Sequence, residues 1–104
     1  MLNTNIEFRK GVLFIRLDGI LNKNTINDLD STYNLIVNNG IKNIVFNINE
    51  VIKIDKVGIN KLFNIYKKVV KNNLNCYFIK NKLIKNKEIK EFDNELKAME
   101  VIWN

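Results

Sequence analysis

The chain has 104 residues, enough for one hydrophobic core, so we expect a single domain spanning residues 1–104. Hydrophobic residues make up 46% and charged residues 27%, as in an ordinary globular protein, and no apolar run approaches the roughly 18 residues that cross a bilayer. The first ten residues lack the pattern of a signal peptide, and the single cysteine permits no intrachain disulfide. A cytoplasmic location without membrane insertion is therefore expected.

The net charge of +6 lies in the second half of the chain. Residues 1–52 carry five cations and five anions, whereas residues 53–104 carry twelve lysines and six acids. Such an excess indicates either a surface for an acidic partner or a solvated face, and solvation is favoured because Asn, Lys and Ile fill 51 of the 104 positions. With two arginines and no basic–aromatic motif, nucleic-acid binding is not expected.

The first half of the chain predicts a hairpin and a helix. Apolar and polar residues alternate around Ile6 and Phe8, and Lys10-Gly11 turns the chain into the strand-like run VLFIRL. A helix is predicted from near Asn24 or Thr25, and Asn39-Gly40 ends it. Its expected inward residues are Ile26, Leu29, Tyr33, Ile36 and Val37.

The second half predicts alternating strands and helices. A buried strand over residues 41–48 and a second helix ending near Asn72 precede a strand over residues 74–80. A lysine-rich helix and a last strand over residues 99–103 are predicted to follow; the helix's inward residues would be Leu83, Ile84, Ile89, Phe92 and Leu96. The order β-β-α-β-α-β-α-β predicts an α/β fold with a mostly parallel sheet, an antiparallel edge strand and packed helices.

Catalytic chemistry is not expected in this sequence. Histidine is absent, Ser31 lies within the first predicted helix, and Cys76 lies in a core strand where a buried, unreactive thiol is expected. A zinc site is not credible with one cysteine and no histidine, and no phosphate-binding glycine loop is present. We therefore expect no enzymatic activity, no metal and no cofactor.

One junction stands out, because an apolar run stops at Asp55 and a helical pattern begins at once. Asp55 is placed to cap this second helix, and that role alone would explain it. Gly58 allows close approach of another backbone at the start of the helix. Lys56 is unusual there, since a helix N-terminus favours an anion or a hydroxyl.

Three patterns occur in order: VLFIRLDGIL at residues 12–21, IKNIVFNINEV at 41–51 and IDKVGINKLFNIYKKV at 54–69. Together they resemble the STAS domain family, the anti-sigma factor antagonists and their relatives. The first is similar to the family's second strand and Gly-Glu-Leu-Asp segment, the second to its central strand and the third to its Asp-Ser-Ser/Thr-Gly loop and helix. The resemblance covers about residues 5–80, and the tail from Asn81 carries no motif.

The resemblance implies a bacterial regulator of transcription that binds a protein partner. In the family, a serine after the aspartate is phosphorylated by an anti-sigma kinase, and only the unphosphorylated antagonist binds that kinase. Here Asp55 and Gly58 are kept, but Lys56 replaces the phosphoacceptor and Val57 the next hydroxyl residue. In the earlier segment Gly19 and Leu21 are kept, whereas the Glu and Asp positions are occupied by Ile20 and Asn22.

Two functions remain open on this resemblance. One is an antagonist-like module that docks on an anti-sigma kinase or related regulator without phosphorylation; the family's commonest form, which is small and free-standing, favours it. The other is an accessory subunit of an ABC transporter or a signalling assembly, which the lost hydroxyls favour. The sequence names neither the partner nor the oligomeric state. The expected partner-binding residues are Asn22, Lys23, Asn24, Asp55, Lys56, Val57, Gly58 and Asn60.

Overall fold

A computed structural model describes residues 1–85 and 89–103. Within them, five strands form one sheet in the order β1-β2-β3-β4-β5. β1 pairs antiparallel with β2, and every other neighbouring pair is parallel. The predicted α/β class, with its antiparallel edge strand, is therefore confirmed. In chain order the elements are β1 (Leu2–Arg9), β2 (Val12–Leu21), α1 (Asp28–Asn38), β3 (Asn43–Ile54), α2 (Lys56–Lys71), β4 (Asn75–Ile79), β5 (Glu91–Phe92) and α3 (Glu95–Ile102).

The helices cover both faces of the sheet, because the central strands are apolar on both sides. One core contains α1, α2 and the sheet residues facing them, with Phe46 and Phe78 stacked at a centroid distance of 5.5 Å. The other core lies beneath α3, where Ala98 packs among Phe14, Val45 and other buried residues. The continuous run of buried residues in β2 and β3 follows from this double coverage.

The sequence prediction was wrong for the end of the chain. Residues 99–103 do not form a strand; α3 continues through them to Ile102. The lysine-rich segment predicted as a helix instead contains a bridge between Asn81 and Ile84 and the short strand β5, while its residues 86–88 lie outside the described part. Of the predicted inward residues, Ile84 and Ile89 are buried and Phe92 is half-buried, but Leu83 and Leu96 are exposed.

Helical spacing and a cap explain the last helix. The Asn94 side chain accepts the backbone N–H of Lys97 at 2.9 Å, which satisfies one of the free donors at the helix start. Ala98, Met99 and Ile102 then fall on one side and pack against the second core. Those signals outweigh the strand propensity of the Val-Ile-Trp run at the end.

The side chain of Glu95 joins α3 to the sheet. Arg16 on β2 donates to both of its carboxylate oxygens, from Nε and Nη2, at 2.8 Å each. Asn47 on β3 adds a third bond at 2.9 Å, and Arg16 also donates to Glu7 on β1 at 2.9 Å. Since Glu95 is the first residue of α3, this network sets where the helix begins on the sheet.

The first helix begins later than predicted. α1 starts at Asp28, because residues from Asn22 onward form hydrogen-bonded turns. Its end agrees with the prediction, with Gly40 at a φ of +62°. Val37 was predicted to face inward but is 51% exposed, whereas Thr32 is buried. No described helix is long and apolar enough to span a membrane.

Candidate functional site

The two segments singled out by sequence lie side by side at the carboxyl-terminal ends of β2 and β3. β2 and β3 are parallel, and Leu21 at the end of β2 pairs with Ile54 at the end of β3. The backbone N–H of Asp55 donates to the carbonyl of Leu21 at 3.2 Å. The segments after both strands therefore leave the sheet at the same point, as in α/β folds generally. We call the following residues the junction surface: Asn22, Lys23, Asn24, Asp55, Lys56, Val57, Gly58 and Asn60.

Asp55 holds the junction surface together through both carboxylate oxygens. One oxygen accepts the backbone N–H of Gly58 at 2.7 Å, which is the predicted cap of α2. The other accepts the backbone N–H of Lys23 at 3.2 Å. The residue thus caps its own helix and also ties the segment after β2 to that helix.

Gly58 is required by close backbone packing. A Cβ built on it would lie 2.4 Å from the carbonyl oxygen of Leu21, a distance that real Cβ atoms essentially never show. The start of α2 therefore rests directly on the end of β2. The close approach expected from the sequence is confirmed. It explains why position 58 is a glycine, since any side chain there would collide with the backbone of β2.

The segment after β2 is braced by its own polar side chains. The side-chain oxygen of Asn22 accepts the N–H groups of Asn24 and Thr25 at 2.9 and 3.2 Å. The Thr25 hydroxyl accepts the N–H of Asn22 and donates to the carbonyl of Ile20, both at 2.9 Å. These bonds account for the turn that delays α1, and they hold Lys23 and Asn24 at the exposed tip.

The exposed side of α2's first turn contains the residues predicted to lie there. Lys56 and Asn60 are exposed and Val57 is 43% exposed, whereas Gly58 is buried. Further along α2, Leu62 and Ile65 are buried against the sheet, and the Tyr66 ring lies 5.6 Å from that of Phe78. The geometry expected for the junction surface is therefore present.

Lys53, which the sequence did not indicate as part of this surface, lines a hollow together with Asn22 and Asp55. β3 bulges here, because Val51 pairs with Gly19 and Lys53 with Ile20, so Ile52 has no partner on β2. Ile52 is 69% exposed, which is unusual for a large apolar side chain in a strand. An open hollow of about 330 Å³ at the junction is lined by Ile20, Asn22, Lys53, Ile54 and Asp55.

Three lysines at or beside the junction surface have no ion-pair partner among the described residues. Lys23, Lys53 and Lys56 form no ion pair with a described carboxylate, and the Asp55 carboxylate is occupied by backbone N–H groups. Lys61, one turn further along α2, differs because it pairs with Asp30 of α1. The junction surface is therefore cationic, with the exposed apolar side chain of Val57 next to Lys56.

Groups of reactive or metal-binding side chains are absent from the described ranges. No cluster of three or more His, Cys, Asp or Glu side chains there has the geometry to hold a metal ion. Burial raises the pKa of the Cys76 thiol, because the charged form is disfavoured in the core. Ser31 is exposed on α1, where its hydroxyl donates to the carbonyl of Asp28 at 3.2 Å.

The family model described as "STAS domain" matches residues 3–83 of the chain. The chain belongs to the STAS domain family. Its Asp55–Gly58 turn lies within the matched range, as does the segment after β2. STAS domains are in general binding modules without catalytic activity, so the chain is a protein-interaction module of this class.

Solved structures of anti-sigma factor antagonists share the fold along nearly the whole chain. One from Mycobacterium paratuberculosis superimposes with a TM-score of 0.86 at 16% identity, covering 100% of this chain and 96% of that one. Unphosphorylated SpoIIAA gives 0.76 at 12% identity, covering 98% and 99%. The phosphorylated form of Bacillus SpoIIAA gives 0.71 at 11%, covering 96% and 99%. At these identities the likeness shows the fold, and no curated protein matches the sequence significantly.

Proposed function

We propose that this STAS domain docks on an anti-sigma kinase or a related regulator through its junction surface, without control by serine phosphorylation. The observation that supports the proposal is the position of Lys56. It is exposed on the first residue of α2, directly after the capping Asp55, where the resemblance to the antagonists puts their phosphorylated serine. The capping carboxylate and the closely packed glycine are present in this turn, and the position after Asp55 has no hydroxyl.

The nearby hydroxyl groups do not lie at the acceptor position, which directly follows Asp55. The Thr25 hydroxyl is hydrogen-bonded within its own turn, and Ser31 lies on α1 with its hydroxyl bonded to the Asp28 carbonyl. Lysine also does not imitate a phosphoserine, which would bring a charge of about −2 where Lys56 brings +1. We therefore infer that phosphorylation does not change the charge that the junction surface presents to its partner.

The charge and apolar content of this surface indicate the chemistry of the partner. Lys23, Lys53 and Lys56 lack described anionic partners, and the apolar side chain of Val57, next to Lys56 in the chain, is 43% exposed. Such a surface fits a partner that presents acidic residues around an apolar contact. Complementary charges of this kind speed association, and they strengthen binding where a pair is desolvated.

A second function is favoured by one specific observation. Hydroxyl residues are absent from both positions after Asp55, which are occupied by Lys56 and Val57. In some STAS-type accessory subunits of ABC transporters or signalling assemblies the phosphorylated serine can be absent. Such a subunit would use the same junction surface, with an ATPase or an assembly scaffold as its protein partner.

Binding measurements with charge-reversed variants test the docking surface. The candidate partners are a kinase-fold anti-sigma protein and an ABC ATPase from the source cell, each purified and titrated with the domain by calorimetry. We expect Lys56→Glu to weaken binding by about tenfold or more, equivalent to about 1.4 kcal/mol. Lys67→Glu is the matched control, because Lys67 is exposed on the same helix but far from its first turn.

The outcome with each partner separates the two functions. Tight binding to the kinase-fold protein that is lost in Lys56→Glu supports the antagonist-like module. The same pattern with the ATPase instead supports the accessory subunit. If Lys56→Glu and Val57→Asp both bind as tightly as the parent domain, the junction surface is not the interface.

A further inference from the structure

The outer strand of the sheet has a free edge with an orderly set of backbone groups. β1 lies at the end of the strand order and pairs only with β2 among the described residues. The hairpin closes with Arg9 opposite Val12, and at its other end Ile20 donates to the carbonyl of Met1 at 3.0 Å. Odd-numbered residues therefore bond to β2, and the N–H and C=O groups of Thr4, Ile6 and Phe8 point away from it.

Nothing in this strand blocks further pairing. Natural edge strands are usually protected by proline, a bulge, a central lysine or short length. β1 has eight residues in unbroken pairing with β2, with no proline, no bulge and no lysine between Leu2 and Arg9. The opposite edge of the sheet differs, since β5 has only two residues.

Apolar side chains accompany the free edge. Ile6 is 42% and Phe8 61% exposed, because the helices on this face do not extend over β1. A hollow of about 460 Å³ lies between them and the end of α1, lined by Ile6, Phe8, Leu13, Leu35, Asn39 and Ile41. A strand added at the edge would therefore gain apolar contacts as well as backbone hydrogen bonds.

We propose that the occupant of this edge is a second copy of the chain, with the two β1 strands antiparallel about a two-fold axis at Ile6. The two sheets would then form one continuous sheet, through the same surface patch on both copies. Around the axis Ile6 faces Ile6 of the second copy and Thr4 faces Phe8, so the outward backbone groups of these three residues meet their counterparts. The apolar side chains of both copies then lie on the same face.

Charge supports a second copy and this alignment. The chain carries +6, but β1 contains one acid, Glu7, and one base, Arg9, so two β1 strands approach without a net charge of either sign. In the proposed alignment Glu7 faces Asn5 and Arg9 faces Asn3 of the second copy. A shift of two residues toward the turn would instead place Glu7 opposite Glu7, a destabilising like-charge pair.

This inference is independent of the junction surface, which lies at the strand ends rather than along the lateral edge. It is tested by sedimentation equilibrium of the full chain over low to high micromolar concentration. We expect the parent to change from the mass of one chain to that of two. Thr4→Pro should remain a single chain, since it removes an outward N–H but no hydrogen bond to β2. Thr4→Val keeps that N–H and should associate like the parent.

A mixing experiment tests the position of the axis. Ile6→Lys and Ile6→Glu should each remain single chains, because each would face its own charge across the axis. An equal mixture of the two should associate, since lysine then faces glutamate. If the parent remains a single chain at every concentration measured, the proposal is wrong. The free edge would then be available to a strand of another protein. Association of a folded Thr4→Pro, or no association in the mixture, overturns it as well; circular dichroism verifies folding.

Discussion

The backbone N–H of Lys23 donates to the carboxylate of Asp55 at 3.2 Å, and this bond joins the segment after β2 to the helix that follows β3. The same carboxylate caps that helix through Gly58 at 2.7 Å. One side chain therefore positions both halves of the junction surface. The cap alone, which was the simpler interpretation of Asp55 from the sequence, accounts for only one of its two bonds.

Replacing Asp55 by alanine should destabilise the domain by about 1 kcal/mol, within the range of about 0.5–2 for a lost helix cap. The first turn of α2 loses an acceptor for its N–H groups, and the Lys23 segment loses its link to the helix. Urea unfolding measures the change in the free energy of unfolding. Asp55→Asn, which keeps one side-chain oxygen, should retain part of the stability.

Hydrogen exchange separates the two roles of Asp55. In Asp55→Ala the amides of both Lys23 and Gly58 should exchange faster than in the parent, because each has lost its acceptor. An unchanged rate at Lys23 would show that the bond between the segments contributes nothing to their position.

Gly58→Ala should lower the free energy of unfolding, although alanine is favoured over glycine by up to about 1 kcal/mol within a helix. The new Cβ would lie 2.4 Å from the carbonyl oxygen of Leu21, so the start of α2 must move away from β2. We expect a net loss of about 1–3 kcal/mol, the usual cost of overpacking. Asn64→Ala, at an exposed position of the same helix, is the control and should be neutral or slightly stabilising.

The sequence predicted the central part of the fold because local and long-range signals agree there. The hairpin turn at Lys10-Gly11 and the cap at Asp55 each specify one structure, and both are observed. The strand predicted over residues 41–48 is longer than expected, since β3 continues through the apolar residues to Ile54. The junction geometry followed because parallel strands end at a common sheet edge. The bulge that exposes Ile52 depends on pairing with β2, which leaves no mark in the local sequence.

At the C-terminal end the local signals conflict. The residues from Met99 to Trp103 have both strand propensity and the spacing of a helix face. The structure settles the conflict through contacts remote in sequence: Arg16 and Asn47 hold Glu95, and the second core holds Ala98. Pairing across such distances is not readable from one sequence.

The Arg16–Glu95 pair should make stability depend on acid pH. Arg16 lowers the pKa of the Glu95 carboxylate below its ordinary value of 4.5, mainly through their hydrogen bonds, with Asn47 adding to the effect. A lowered folded-state pKa adds stability that is present above the unfolded pKa and is lost as pH falls through the folded one. The parent should therefore lose more stability than Glu95→Gln as the pH falls below about 5.

Denaturant unfolding at several pH values measures this difference. At neutral pH Glu95→Gln should be less stable by roughly 1–2 kcal/mol, because a charged, bidentate bond is replaced by a neutral one. The two free energies should converge at low pH, where Glu95 is protonated. Parallel curves at all pH values would contradict the assignment of the acid dependence to this pair.

Our last prediction concerns phosphorylation at the first residue of α2. We expect no phosphate on the parent after incubation with ATP and a serine kinase of the anti-sigma type, because Lys56 and Val57 offer no hydroxyl. Lys56→Ser should gain one phosphate, since the new hydroxyl is exposed beside the helix N-terminus, which favours an anion. Lys67→Ser, at an exposed position further along α2, is the control and should gain none. Intact-mass spectrometry detects the change, and a stoichiometric phosphate on the parent, at Thr25, Ser31 or elsewhere, would show that the switch has moved rather than been lost.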